Sequence, residues 1–292
     1  MITLHERPNK IFLPSAIRSR MAAIGARLLF RWSDVFDAPL HDFPIRDEIL
    51  CQYLPLAADA DVLEVGPGSG FTAFRLARCV RRVTLLDVAP RAVEELRRTL
   101  GNIPNIQFVC ADVAAPGLAG KLEHAFDAIF GLDVFEYVKD PAACLSNLAR
   151  VLHAGGELLL TFPNVPPPTG DGVTWFTNLS ALEAMVAGAG FTTWEIFAVR
   201  PRRFAVAVYA VLHEWPLRTY RRTRAGDKQA RPQIYEATWA FQHRERLRPF
   251  KAGLHLYWTV LGWAMRLSGG VFVAEPAGDR PVGRQLVIRA RK

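Results

Sequence analysis

The run Val62-Leu-Glu-Val-Gly-Pro-Gly-Ser-Gly70 constrains this chain more than any other. Apolar residues flank a single acid, and the run then breaks into glycines at 66, 68 and 70. The pattern predicts a buried parallel strand ending in a tight turn free of side chains, followed by a helix over about Phe71–Arg78. A ligand can approach such a turn closely, and the N-terminus of the following helix presents amide N–H groups. The spacing narrows the ligand. A dinucleotide fingerprint needs Gly-x-Gly-x-x-Gly after a strand. Here the third glycine comes one residue early, and Phe71 fills the position that the fingerprint requires. No Gly-Lys-Ser/Thr follows, which excludes a phosphate-cradling Walker loop. Glu64 sets a negative charge beside the ligand, which suits a cation better than a pyrophosphate.

The following segments repeat the design. Arg82-Val-Thr-Leu-Leu-Asp87 is a second short apolar strand, with an acid spaced like the ribose-binding acid of doubly wound nucleotide folds. Asn105–Asp112 is a third strand, Phe126–Asp133 a fourth and Gly156–Phe162 a fifth. Helical patterns lie between them at about Pro90–Leu100 and Ala142–Leu152, the latter with Leu145, Leu148 and Leu152 on one face. Strand and helix alternate at the lengths a parallel sheet requires. Acids at strand carboxyl ends mark the ligand crevice of an open α/β sheet. Singly, each feature has a plainer explanation: the glycines could serve close packing, and Asp87 and Asp112 could be helix caps.

Together these segments resemble a class I S-adenosylmethionine-dependent methyltransferase of the broad small-molecule group, from about Ile45 to Phe191 with a last strand near Gln285–Arg291. Glu64-Val-Gly-Pro-Gly-Ser-Gly70 resembles the family's glycine loop under the methionine portion, which implies cofactor contacts at Glu64, Gly66, Gly68 and Gly70. Asp87, followed by Val88, sits where the family places the acid for both ribose hydroxyls. Asp112 with Val113 resembles the motif at the adenine amino group. Gly131 and Leu132 open a segment, Leu132-Asp-Val-Phe-Glu-Tyr-Val138, that resembles the fourth motif, whose first residues line the methionine amino group. The implied architecture is α/β: a doubly wound, mostly parallel seven-stranded sheet of Rossmann-like methyltransferase type, with a helical insert before the last strand. The implied division is an N-terminal helical extension or cap at 1–44, a cofactor-binding core at 45–200, an insert at 201–283 and the last core strand at 284–292. S-adenosyl-L-methionine is the implied cofactor and a small molecule the implied acceptor.

At 292 residues the chain can bury a substantial core. Cys51, Cys79, Cys110 and Cys144 form no Cys-x-x-Cys pair, and each lies in or beside an apolar segment. Buried free thiols in a reducing compartment are the expectation. No cluster of metal ligands stands out. The first twenty residues carry His5, Arg7, Lys10, Arg18 and Arg20 without an apolar core, unlike a secretory signal. No uncharged stretch approaches the roughly 18 residues of a membrane span. A cytoplasmic protein is expected, with peripheral contact at the inner membrane face left open.

The charge is uneven. Arg200–Lys251 holds 13 of the 36 basic residues but only 4 of the 28 acidic ones, so the rest of the chain is close to neutral. Trp215 and Trp239 lie in this segment, with Trp258 and Trp263 just after it. The family's sheet usually closes on an antiparallel hairpin, placed here at about Thr192–Val199 and Gln285–Arg291, with Pro201–Gly283 inserted between the strands. Phe204–Leu212 and Lys251–Leu267 carry helical patterns, and the second is apolar over most of its circumference, as a buried or interfacial helix would be. Arg218–Arg224 lies between them as an expected solvated loop. Three readings compete for the insert: a lid over the substrate pocket, a lid that also docks on an anionic membrane to reach a lipid or isoprenoid, and a nucleic-acid surface. The last is the least supported, since no nucleic-acid module is recognisable.

Family members commonly carry Glu-His-Val at the end of the fourth motif, with the histidine facing substrate. This chain has Glu136-Tyr137-Val138. Tyr137 is the candidate catalytic residue, able to orient the acceptor or assist proton removal, with packing as the alternative. Glu136 and Asp140 are expected to be surface helix residues. His124 precedes the fourth strand, away from the crevice, and is expected to be structural. His213, His243 and His255 lie in the insert, and the sequence does not choose among them. Two other functions remain open: a non-catalytic cofactor-binding scaffold or partner subunit, and a nicotinamide oxidoreductase.

Overall fold

The computed structural model describes residues 49, 50, 52–68, 70–164, 176–203, 272–281 and 284–292. The expected N-terminal extension, the helical runs of the insert, its Arg218–Arg224 stretch, and its histidines and tryptophans lie outside these residues. Two compact units divide the chain, and the account below concerns the larger, built around 52–200 and 274–292.

Five strands follow one another as the apolar runs demand: β1 (Asp61–Val65), β2 (Arg82–Asp87), β3 (Ile106–Cys110), β4 (Phe126–Leu132) and β5 (Leu152–Asn164). Three further strands, β6 (Thr193–Pro201), β7 (Phe272–Pro276) and β8 (Arg284–Arg291), complete a sheet of order β3-β2-β1-β4-β5-β8-β6-β7. The pairs among β1 to β5 are parallel, whereas β8 runs antiparallel between β5 and β6. The α/β sheet is therefore mostly parallel, as expected, but has eight strands rather than seven. The additional strand, β7, falls inside the stretch expected to be a helical insert. Its Phe272-Val-Ala-Glu-Pro276 is too short and too mixed to separate from helix by periodicity.

Helices α1 (Phe71–Leu76), α2 (Pro90–Leu100), α3 (Pro141–Val151) and α4 (Leu179–Gly188) connect the strands. Proline opens both α2 and α3 at a position where its missing N–H costs nothing. Val93, Leu96 and Leu100 of α2 are buried at helical spacing, as are Leu145, Leu148 and Val151 of α3. Asp140, expected on a helix surface, caps α3: its Oδ1 accepts from the Ala143 N–H at 2.9 Å. Helix α4 was not anticipated, although Asn178, which accepts from the Ala181 N–H at 2.8 Å, is the kind of cap that announces one. The cysteine expectation holds only in part: Cys144 is buried, which pushes its thiol pKa up, but Cys79 is half-buried and Cys110 is exposed at the end of β3.

The amino ends of the central strands are tied by charge. Arg81 forks onto the buried Asp61 carboxylate, with Nε and Nη2 donating at 2.9 and 2.8 Å. The Asp61 N–H in turn donates to Asp127 Oδ2 at 2.8 Å. His124 joins this group at the end remote from the crevice, as expected. Its Nδ1 lies 3.2 Å from Arg82 Nη1, and a guanidinium can only donate, so Nδ1 accepts and the neutral ring carries its proton on Nε2. Nε2 stands 3.7 Å from Asp61 Oδ2. Burial, and next the Arg82 charge, hold the His124 pKa below its ordinary 6.5, against a smaller opposing pull from Asp61 and Glu123.

Two predictions follow from this packing. The unfolded chain protonates His124 near 6.5 and the folded chain only at lower pH, so the unfolded state binds more protons in the interval. The stability His124 confers is present above that value and declines as pH falls below it. In urea melts the advantage of wild type over His124→Gln should shrink between pH 7 and 5; a pH-independent difference would contradict the assignment. At Gly70, φ is 76°, and a Cβ would lie 2.6 Å from both Leu96 Cδ2 and Leu100 Cδ1 of α2. Overpacking and left-handed strain should make Gly70→Ala about 2–4 kcal/mol less stable by denaturant titration.

Candidate functional site

Parallel register brings the motif segments out of the sheet at one level. Val65 is opposite both Leu86 and Gly131, and Asp87 is opposite Cys110. The ladder then runs one step further: Gly66 N–H donates to the Leu86 carbonyl at 2.9 Å and Ala111 N–H to the Asp87 carbonyl at 3.0 Å. The glycine turn, Asp87, Asp112 and Leu132 therefore leave neighbouring strands side by side, at the carboxyl edge where open α/β sheets bind ligands.

The three glycines of the turn have φ of 63°, 53° and 76°, but their surroundings differ. A Cβ on Gly66 would fall 2.4 Å from Val134 Cγ2, and Gly70 is closed off by α2. Close packing thus explains these two. A Cβ on Gly68 would meet nothing within 4 Å, and the residue is exposed. Protein packing does not account for glycine here. A turn this bare leaves its backbone open to a ligand.

Both acids are held by their own chain. Asp87 Oδ1 accepts from the Ala89 N–H and Asp112 Oδ1 from the Ala114 N–H, each at 2.8 Å. These short Asx-type links fix the carboxylate planes where the strands end. Asp87 is half-buried and Asp112 exposed. Val88 is 66% exposed beside them, an unusual position for a large apolar side chain. Val113 instead belongs to the core, and Gly131 is buried, with Val134 Cγ1 2.7 Å and Leu160 Cδ2 3.1 Å from where a Cβ would be. Glu64 is buried on β1 between Leu85 and Phe130. Acids gathered along one edge make it attractive to a cation.

Beyond β4 the chain enters a short 3-10 turn, Phe135–Tyr137. Tyr137 is 65% exposed. Glu136, expected on the surface, is only 3% exposed. The reason lies in the tight turn, which sends Phe135 and Glu136 inward together and Tyr137 outward. Phe135 packs on Phe162, with ring centroids 5.2 Å apart, and both meet Phe176.

Sequence reasoning missed two asparagines that support the crevice. Asn147 of α3 donates from Nδ2 to the Val113 and Ala115 carbonyls at 3.0 and 2.9 Å, fixing the loop that carries Asp112. Asn164, at the end of β5, donates to the Phe176 carbonyl at 2.9 Å and accepts from the Phe176 N–H at 2.8 Å. The available signal was a polar amide within an otherwise apolar segment, which needs a backbone partner when buried.

Comparison with known proteins agrees with this geometry. Residues 63–160 match the family model described as a methyltransferase domain. A ubiquinone biosynthesis O-methyltransferase of Xanthomonas oryzae pv. oryzae is 34% identical over 145 residues, 49% of this chain and 60% of that protein. Its counterpart in Albidiferax ferrireducens is 31% identical over 145 residues, 48% of this chain and 56% of that protein. The chain thus matches less than two thirds of the length of these relatives. Among solved structures, phosphoethanolamine N-methyltransferase 2 of Haemonchus contortus, in complex with S-adenosyl-L-methionine, superposes with a TM-score of 0.54 at 16% identity. That superposition covers 92% of this chain and 57% of the other, and shows likeness of fold. Residues 63–160 of this chain are therefore similar to a methyltransferase domain, and the fold resembles that of the Haemonchus contortus enzyme.

Proposed function

We propose that this chain is an S-adenosylmethionine-dependent methyltransferase acting on a small, apolar or lipid-like acceptor. The observation that carries the reading is the exposed Gly68, where among the described residues nothing lies within 4 Å of a Cβ position, set level with the two tethered carboxylates Asp87 and Asp112. These groups fit the cofactor in kind. Carboxylates accept hydrogen bonds, and the ribose hydroxyls and adenine amino group donate them. The exposed Val88 offers an apolar surface for the adenine ring, and the acidic edge favours a cationic sulfonium and ammonium. When bound, the cofactor supplies a methyl group on a positively charged sulfur.

The protein's contribution is positioning and exclusion of water. Gly66 and Gly68 let the backbone approach, Asp87 and Asp112 fix the nucleoside, and Gly131 and Leu132 border the methionine portion. Tyr137, exposed just beyond β4, is proposed to orient the acceptor through its phenol, which both donates and accepts. The relatives named as ubiquinone biosynthesis O-methyltransferases support an oxygen acceptor on an apolar molecule. For the basic segment 200–251 we propose peripheral contact with an anionic surface from which such an acceptor is drawn; its arginines at 218, 221, 222 and 224 lie outside the described residues.

Isothermal titration with S-adenosylhomocysteine tests the site. Asp87→Ala removes charge-assisted hydrogen bonds, each contributing about 1.5–3 kcal/mol, so affinity should fall at least tenfold while the urea midpoint is retained. Gly68→Val, whose branched Cβ enters the open space, should also abolish binding. Normal affinity in both variants, or tight NADPH binding by a wild type that ignores S-adenosylhomocysteine, would refute the reading. The surface contact is checked separately, by sedimentation with phosphatidylglycerol vesicles. Wild type should pellet at low salt and not at high salt, and changing Arg218, Arg221, Arg222 and Arg224 to Gln should abolish pelleting.

A further inference from the structure

Among the described residues, one that is not glycine has positive φ: Asp133, at 55°. Left-handed backbone is disfavoured for most residues with a Cβ, and aspartate enters it where its short side chain is hydrogen-bonded. Here the bonding partners can be named. Asp133 N–H donates to the Thr161 carbonyl at 2.8 Å, and the Asp133 carboxylate oxygen Oδ1 accepts from Thr161 Oγ1 at 3.1 Å and from Gln285 Nε2 at 2.6 Å. Thr161 is fully buried on β5, and Gln285 stands on β8, so two strands hold this one residue. The next residue, Val134, is the one whose methyl groups close on Gly66 and Gly131. The left-handed step at Asp133 turns the chain so that Val134 covers the glycine turn.

We propose that Asp133 is a positioning residue: its restrained left-handed backbone seats Val134 against Gly66 and so sets the shape of the cofactor turn, with Thr161 and Gln285 as its restraints. The proposal rests on the reading of that turn as the S-adenosylmethionine site, and it makes the shape of the turn depend on β8, more than 150 residues further along the chain. The carboxylate acts through the backbone, not through the ligand. Replacements should therefore rank by their tolerance of positive φ. Glycine adopts that region freely, asparagine tolerates it and keeps a side-chain oxygen for Thr161 and Gln285, and alanine has neither advantage.

The test combines S-adenosylhomocysteine titration with methyl NMR of the ligand-free protein, following the contact between the Val134 methyls and the Gly66 α-protons. Asp133→Ala should weaken binding at least tenfold and lose the contact. Asp133→Gly and Asp133→Asn should keep the contact and bind within about threefold of wild type. Gln285→Ala should weaken binding, and adding Asp133→Gly to it should restore affinity, because a glycine no longer needs to be held. A purely structural role would lower thermal stability in every variant without this rescue. The inference is overturned if Asp133→Ala keeps both contact and affinity, or if Asp133→Gly is as impaired as Asp133→Ala. A wild type that fails to bind S-adenosylhomocysteine refutes the proposed cofactor instead, while the NMR contact still decides the role of Asp133.

Discussion

The structure turns on how closely two pieces of backbone can approach at the end of β1. Gly66 and Gly70 are pressed by Val134 on one side and by Leu96 and Leu100 on the other, at distances that leave no room for a Cβ. Between them Gly68 faces open space. The packing around Gly66 and Gly70 orders those two residues, and a loop that must be ordered on binding subtracts its ordering entropy from the affinity.

The sheet carries this local shape across the site. Register fixes the level at which β1, β2, β3 and β4 end, so no side-chain choice within Asp87 or Asp112 could correct a slipped strand. The Asp61 group at the opposite end helps hold that level. It ties Arg81 and Arg82, just before and at the start of β2, to the first residue of β1, and ties that residue to Asp127 at the start of β4. Such a group is polar and partly buried, so its value lies more in specifying alignment than in net stability. The Asp61 group lies at the edge opposite the proposed cofactor site.

The strands β1 to β5 were legible because parallel strands packed on both faces appear as largely apolar runs, bounded here by glycine, proline and acids. The place of Asp87 and Asp112 at the ends of strands was legible because each acid closes an apolar run. Glu136 was misjudged for the same kind of reason: three residues in a 3-10 turn carry no periodicity, and nothing in Phe-Glu-Tyr says which side chain turns inward. Val113 was assigned by its place beside Asp112, but the loop's path, set by Asn147, puts it in the core. The restraint on Asp133 comes from Gln285, a partner that no local pattern can supply. β7 was hidden by brevity, and its pairing is decided by the sheet edge it joins.

The position of β8 explains how a core with its motifs complete by residue 138 accommodates a further long segment. β8 enters antiparallel between β5 and β6, so β6 lies beside it and β7 next beyond. The chain leaves the sheet at the end of β6 and re-enters at β7, its neighbour in the order, where Arg200 Nε donates to Glu275 Oε2 at 3.1 Å. Because exit and re-entry are adjacent, the intervening residues can vary in length at a closure cost that grows only logarithmically, without disturbing strand register. Gln285 returns from that excursion and contacts Asp133.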